Sequence, residues 1–330
     1  MKRFNDILCM VEPEKECQPV LERAVTLAQN NQASLTVMTV AAPINIGINM
    51  PEGEPVSIDP VELHEATVKS HKQALENIVE PYRQRARIET RVLVGTPFLE
   101  IIRCVLHNKH DLVVKCPDAP DWLNRLFSSD DKHLLRKCPC PVWIVRPQTG
   151  ESFDRILATV DVDDNYQAKD LNTRHALNEM VIELASSLAV TEFAELHIAH
   201  AWEATGEDFM RHGAFMRRPE HEINAYVDQV QQHHTRLLDL LIKEVSAKLG
   251  KDVTDYIKPQ VHMPKGPANK VIPELAKELQ VDCIVMGTVA RTGIPGFIMG
   301  NTAETILDQM ECSVLAVKPP GFVSPVTLAE

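Results

Sequence analysis

The stretch LVGTPFLEIIRCVLHNKHDLVVKCP at residues 93–117 and the stretch MPKGPANKVIPELAKELQVDCIVMGT at residues 263–288 follow one pattern. Each reads as a short strand, a turn at a glycine (Gly95 or Gly266), an amphipathic helix, and a buried strand opened by an aspartate (Asp111 or Asp282). Self-similarity at so long a period marks a duplicated domain. Two further pairs keep the same order. NDILCMVEP at residues 5–13 matches DRILATVDV at residues 154–162, each an apolar strand left through an acid, Glu12 or Asp161. KCPCPVWIVRP at residues 137–147 matches MECSVLAVKPP at residues 310–320, a last strand stopped by proline.

Between these anchors each half adds a strand, SLTVMTV or ELHIAHA, and a long helical stretch. In the second half the helix is predicted over about residues 222–249, where Val227, Val230, Leu237, Leu238, Leu241 and Val245 recur at helical spacing. Strands alternating with helices predict an α/β fold: two tandem Rossmann-like domains, each a five-stranded parallel sheet with right-handed crossovers and helices on both faces. The seam falls near PQTGES, giving domains at residues 1–149 and 150–330.

At 330 residues the chain is too long for one ordinary core, in keeping with two domains. A net charge of −12 leaves no basic surplus for nucleic acid or an anionic membrane, and no apolar run approaches the roughly 18–20 residues of a spanning helix. The start MKRFNDILCMVEP passes straight into a strand, so a cytoplasmic protein without a cleaved leader is expected. The eight cysteines show no secreted-domain spacing and are read as reduced core thiols.

In open α/β sheets ligands bind beyond the carboxyl ends of the strands, where strand order reverses. MGTVARTGIPGFIMGNTAE at residues 286–304 begins as such a strand ends, and four of the chain's 13 glycines (Gly287, Gly293, Gly296 and Gly300) fall within it. Asn301 and Thr302 suit a helix cap, and Glu304 suits a first helical turn. Bare N–H groups backed by a helix start favour phosphate. The first half, KCPDAPDWLNRLFSSDDKHLL, has no glycine here; Ser128 and Ser129 stand where Gly300 and Asn301 stand, and Asp130 and Asp131 are expected to repel phosphate. Only the second domain is therefore expected to take a phosphate group.

These motifs identify the resemblance. With DILCMVEP, HDLVVK, DKHLLRKCPCPVW and GTVARTGI followed by GNTAE, nearly the whole chain resembles a tandem universal stress protein, most of all the E-type subclass. Nucleotide-binding members carry Gly, two residues, Gly, nine residues, then Gly and Ser or Thr. Here Gly287 and Gly300 match, Ala290 takes the second glycine's place, Asn301 replaces the hydroxyl residue and Thr302 follows one position late. An alanine costs on the order of 1 kcal/mol where φ is positive and almost nothing where it is negative. The resemblance implies a site for ATP, with Mg²⁺ as its ion, made by Val160, Asp161, Ala201, Met286, Gly287, Ala290, Gly300, Asn301 and Thr302. Gly287 is to give room to the ribose and phosphates, Asp161 to contact the nucleoside, and the backbone of Ala201 to meet the adenine. It also implies pairing of the last strands into an intramolecular pseudo-dimer, two of which associate as a homodimer.

Other signals have plainer readings. Asp163 and Asp164 read as a solvated turn rather than a Mg²⁺ site, and Cys138-Pro-Cys140 lacks the second ligand pair of a zinc site. His212, His221, His233 and His234 are expected to face solvent. The long loops at residues 42–60 and 203–222 mix apolar residues with charge, so a nucleotide-free scaffold or a carrier of an apolar molecule is the alternative. No P-loop, nucleophile elbow or HExxH occurs, and a binding protein rather than an enzyme is expected.

Overall fold

The computed structural model describes residues 4–15, 17–43, 60–118, 128–147, 152–213, 218–288 and 299–328. Described residues 4–147 and 323–328 form one compact unit and residues 152–322 a second.

In the first unit the strands are β1 (Asp6–Met10), β2 (Ser34–Ala41), β3 (Ile88–Val94), β4 (Leu112–Lys115) and β5 (Val142–Ile144). They pair in parallel in the order β3-β2-β1-β4-β5. The intervening helices are α1 (Gln18–Asn31), α2 (Pro60–Val79), α3 (Pro97–Asn108) and α4 (Ser129–Lys137). The second unit repeats the plan with β6 (Arg155–Thr159), β7 (Glu195–Ala199), β8 (Gln260–His262), β9 (Cys283–Gly287) and β10 (Ser313–Val317), in the order β8-β7-β6-β9-β10. Its helices are α5 (Ala168–Glu192), α6 (Glu207–His212), α7 (Glu220–Leu249), α8 (Lys251–Ile257), α9 (Ala268–Glu278) and α10 (Asn301–Leu307). The long helix of the second half is α7, and part of the 203–222 loop is helical as α6; residues 44–59 of the other long loop lie outside the described residues.

The central strands carry apolar runs because both faces of each sheet are covered: every residue of β4 and all of β9 but Gly287 are buried. Removing an Ile, Leu or Val side chain of such a strand from water contributes about 1.5–3 kcal/mol.

The duplication extends to single backbone groups. Asp111 accepts hydrogen bonds from the N–H groups of Asn5 (2.8 Å) and Asp6 (3.1 Å), and Asp282 accepts from Asp154 (2.8 Å) and Arg155 (2.9 Å). In each unit the aspartate that opens the fourth strand thus pins the start of the first. The turn glycines of the two copies, Gly95 (φ 153°) and Gly266 (φ 135°), both have positive φ, a region that residues with a Cβ avoid.

All eight cysteines are free thiols, and only Cys116 is partly exposed. The thiols of Cys138 and Cys140 lie 3.6 Å apart inside the first unit.

Candidate functional site

In the second unit β6 is the switch point, with β7 on one side and β9 on the other. A cleft of about 1160 Å³ opens beyond the carboxyl ends of these strands. That is above the roughly 300–1,000 Å³ of common small-molecule sites.

Val160 continues the ladder one residue past β6, its N–H donating to Ala199 O at 3.0 Å. The chain then turns at Asp161, whose main chain is clamped by Asn178 of α5: Asp161 N donates to Asn178 Oδ1 (3.0 Å) and Asn178 Nδ2 to Asp161 O (2.7 Å). The Asp161 carboxylate accepts from Arg174 (2.7 Å) and Tyr166 OH (3.0 Å), and the guanidinium lies 3.4 Å over the Tyr166 ring centroid. Burial, reinforced by the Asp161 charge, pushes the Tyr166 hydroxyl up to about 12, so it stays a donor at neutral pH.

At the end of β7 the ladder alternates. His200 N donates to His262 O (3.0 Å) and Trp202 N to Pro264 O (3.2 Å) on the β8 side. The N–H and C=O of Ala201 therefore face the β6 side, beyond that strand's end and toward the cleft that Ala201 lines.

Met286 and Gly287 end β9 and line the opposite wall. A Cβ on Gly287 would lie 2.6 Å from Leu177 Cδ2. The space on the Cβ side of this glycine is used by Leu177 of α5, while its backbone lines the cleft.

Gly300 N donates to Thr288 O at 3.0 Å. It is the N-cap of α10 with φ −64°, a conformation open to any residue. Gly300, not Asn301 or Thr302, is the N-cap residue, which corrects the expected cap. The helix simply starts one residue earlier than a side-chain cap needs, with Asn301 and Thr302 already inside its first turn. Both are exposed; Gly300 and Thr302 line the cleft, whereas Asn301 does not. Ala290 lies outside the described residues, as do Gly293 and Gly296.

Three features were not read from the sequence. His234 is 6% exposed, against the expectation that it faces solvent. The signal was present: four residues separate it from Val230 and four from Leu238, so it falls on the apolar stripe of α7. His233, its neighbour, is exposed and meets Asp164 Oδ2 at 2.9 Å. The second feature is His200, buried at 1% exposure, whose Nε2 lies 2.9 Å from His234 Nδ1. The third is Lys318, which donates to Thr288 Oγ1 at 2.6 Å beside the Phe322 ring.

The protein groups do not form a ready Mg²⁺ set. Asp163 Oδ1 is engaged by the backbone and side chain of Asn165, Asp164 by His233, and Asp161 by Arg174. Among the described residues one cluster has metal-ligating composition, His175, Glu179 and Glu244, and Lys248 already bridges its two carboxylates.

The matching region of the first unit is closed by its own side chains. Lys115 takes the place of Met286, and its ammonium meets Asp118 Oδ1 at 2.7 Å and Asp131 Oδ1 at 2.5 Å. Ser128 and Asp131 form a capping box at the start of α4, and Ser128 Oγ also donates to Asp118 at 2.5 Å. Burial works against the Lys115 charge, yet its two carboxylates outweigh that and raise its pKa; burial likewise opposes the Asp118 charge, and Lys115 prevails to lower its pKa. The single Lys115 ammonium serves two carboxylates, so the group keeps a net negative charge, and the network fills the helix start.

Fold and cleft together define a chain of two tandem doubly wound α/β domains, with an open cleft at the switch point of the second. A family model described as the Universal stress protein family matches residues 3–146 and again 153–318, and the chain belongs to that family. Universal stress protein E of Escherichia coli (strain K12) is 29% identical over 335 residues, covering 99% of this chain and 98% of its own. The Universal stress protein E homolog of Haemophilus influenzae is 27% identical over 323 residues, covering 96% and 98%. The crystal structure of protein PA1789 from Pseudomonas aeruginosa PAO1 shares the fold, with a TM-score of 0.67 at 24% identity, covering 96% of this chain and 93% of that one. No helix among the described residues is long and apolar enough to cross a membrane.

Proposed function

We propose that this protein is a stress-response binding protein, not an enzyme, whose second domain holds ATP or a related adenine nucleotide as a regulatory ligand. The observation that carries this reading is the cleft beyond β6, β7 and β9, bordered by the start of α10 at Gly300. Its parts match the needs of a nucleotide. The main chain of Ala201 offers a donor and an acceptor for a base edge, and the N–H groups after Gly300 suit phosphate. Mg²⁺ would arrive with the phosphates, because the nearby carboxylates are already engaged.

Leu177, Val230, Ile272, Met286 and Ile306 line the same cleft, which supports an apolar small molecule as the alternative occupant. Eight free thiols support a reducing, cytoplasmic setting, and association of two chains completes the reading.

Calorimetric titration of the full chain with ATP and Mg²⁺ is the test, with Gly300→Asp as control. The negative φ at Gly300 accepts an aspartate backbone, and the added carboxylate repels phosphate at the helix start. Saturable binding lost in the variant is the expected result. Binding that survives the substitution overturns the phosphate assignment, and native mass spectrometry showing a co-purified apolar molecule favours the alternative.

A further inference from the structure

The walls of the second-domain cleft include a chain of imidazoles whose proton direction is set by its far end. His200 Nδ1 lies 3.2 Å from Val160 O, a carbonyl that only accepts. His200 therefore carries its proton on Nδ1 and offers the lone pair of Nε2. That atom faces His234 Nδ1 at 2.9 Å, so His234 must donate from Nδ1, which leaves a lone pair on its own Nε2. Both residues line the cleft. Among the described residues no group hydrogen-bonds His234 Nε2, although the ring is mostly buried and packs 6.3 Å from Trp202.

We propose that His234 Nε2 is the hydrogen-bond acceptor for a hydroxyl or amino group of the bound nucleoside. This rests on the nucleotide reading of the cleft and adds to it a recognition residue. A neutral imidazole chain that ends in a lone pair accepts from a sugar hydroxyl or an exocyclic amine, and it offers nothing to an ionised phosphate.

The charged and titratable groups around the pair have partners of their own. From β7 comes His200 itself, held below its ordinary value by burial. From the turn after β6 come Asp161, bound to Arg174 of α5 and to Tyr166; Asp163, engaged by Asn165; and Asp164, paired with His233. From α7 come His233 and Tyr226, the latter donating to Thr205 O at 2.9 Å. Lys265 stands over the far side of Trp202, 5.6 Å from the ring centroid.

Two measurements on the full chain test this. Long-range ¹H–¹⁵N NMR of histidine-labelled protein near pH 7.5 should show both His200 and His234 as Nδ1–H tautomers; His234 protonated at Nε2 alone overturns the assignment. ATP titrations of the native chain are then compared with those of His234→Gln, whose amide keeps an acceptor, and His234→Leu, which removes it. Affinity should fall on the order of tenfold in His234→Leu, the scale of one hydrogen bond, and stay near native in His234→Gln. Equal affinity in all three proteins overturns this assignment alone, whereas no ATP binding by the native chain overturns the nucleotide reading and this assignment with it.

Discussion

Lys115 Nζ lies 2.5 Å from Asp131 Oδ1, with the side chains 4% and 0% exposed, one at the end of β4 and the other in the first turn of α4. The corresponding positions of the second domain are Met286 and Ala303, both apolar. One copy of the duplicated domain has closed its helix start with an internal ion pair, and the other has no charged residue at either of these two positions.

Because a buried charge without its partner costs far more than the intact pair contributes, Lys115→Met should destabilise the first domain by about 3–5 kcal/mol in urea denaturation. Asp131→Ala added to it, reproducing the Met286 and Ala303 arrangement, should recover most of the loss. A double variant as unstable as the single one would contradict the pairing.

The two strand-pinning aspartates should behave alike. Asp111→Ala and Asp282→Ala each strand two N–H groups, at a cost of about 1–3 kcal/mol. Amide exchange should accelerate at Asn5 and Asp6 in the first variant and at Asp154 and Arg155 in the second. Unchanged protection at those amides would rule the role out.

Gly287 is a packing glycine against Leu177. Gly287→Ala should lower stability by about 1–3 kcal/mol through overpacking, and Leu177→Ala in the same chain should offset part of that loss. Thermal unfolding of the single and double variants checks it; additive losses would mean that the two side chains do not compete for space.

Acid should weaken the second domain. Burial holds His200, His197 and His262 below the ordinary histidine value of 6.5, with the neighbouring His262 adding to the effect on His197. These rings are neutral when folded and take up protons on unfolding once the pH drops below that value. The unfolded state then binds more protons, so their contribution is fully present above about pH 6.5 and is lost as the pH falls from there toward the folded values. For the buried His200 the slope is at most about 1.4 kcal/mol per pH unit. Urea midpoints should drop between about pH 7.5 and 5.5, less so in His200→Asn; equal midpoints in the native chain would refute the sign.

How much was legible follows from the range of each interaction. Alternation of apolar runs with helical stripes is local, so DILCM, LVVK, CIVMG and SVLAV read as strands from their own residues, and the order of the second copy repeats the first. The strand-opening aspartates were visible as residues, although their bonds to the start of another strand were not. His234 was missed because a polar residue on an apolar stripe was read by type rather than by position.

Amino-acid order alone determined two parallel α/β domains and the strand ends in each, because both depend on periodicities a few residues long. Tertiary structure decided which helix start an ion pair fills and which strand ends border a cleft. Lys115 reaches Asp131 across 16 positions and His200 reaches His234 across 34, and only the packing of a helix beside a strand end brings such groups within 3 Å and out of water, where a partner sets each charge and each proton.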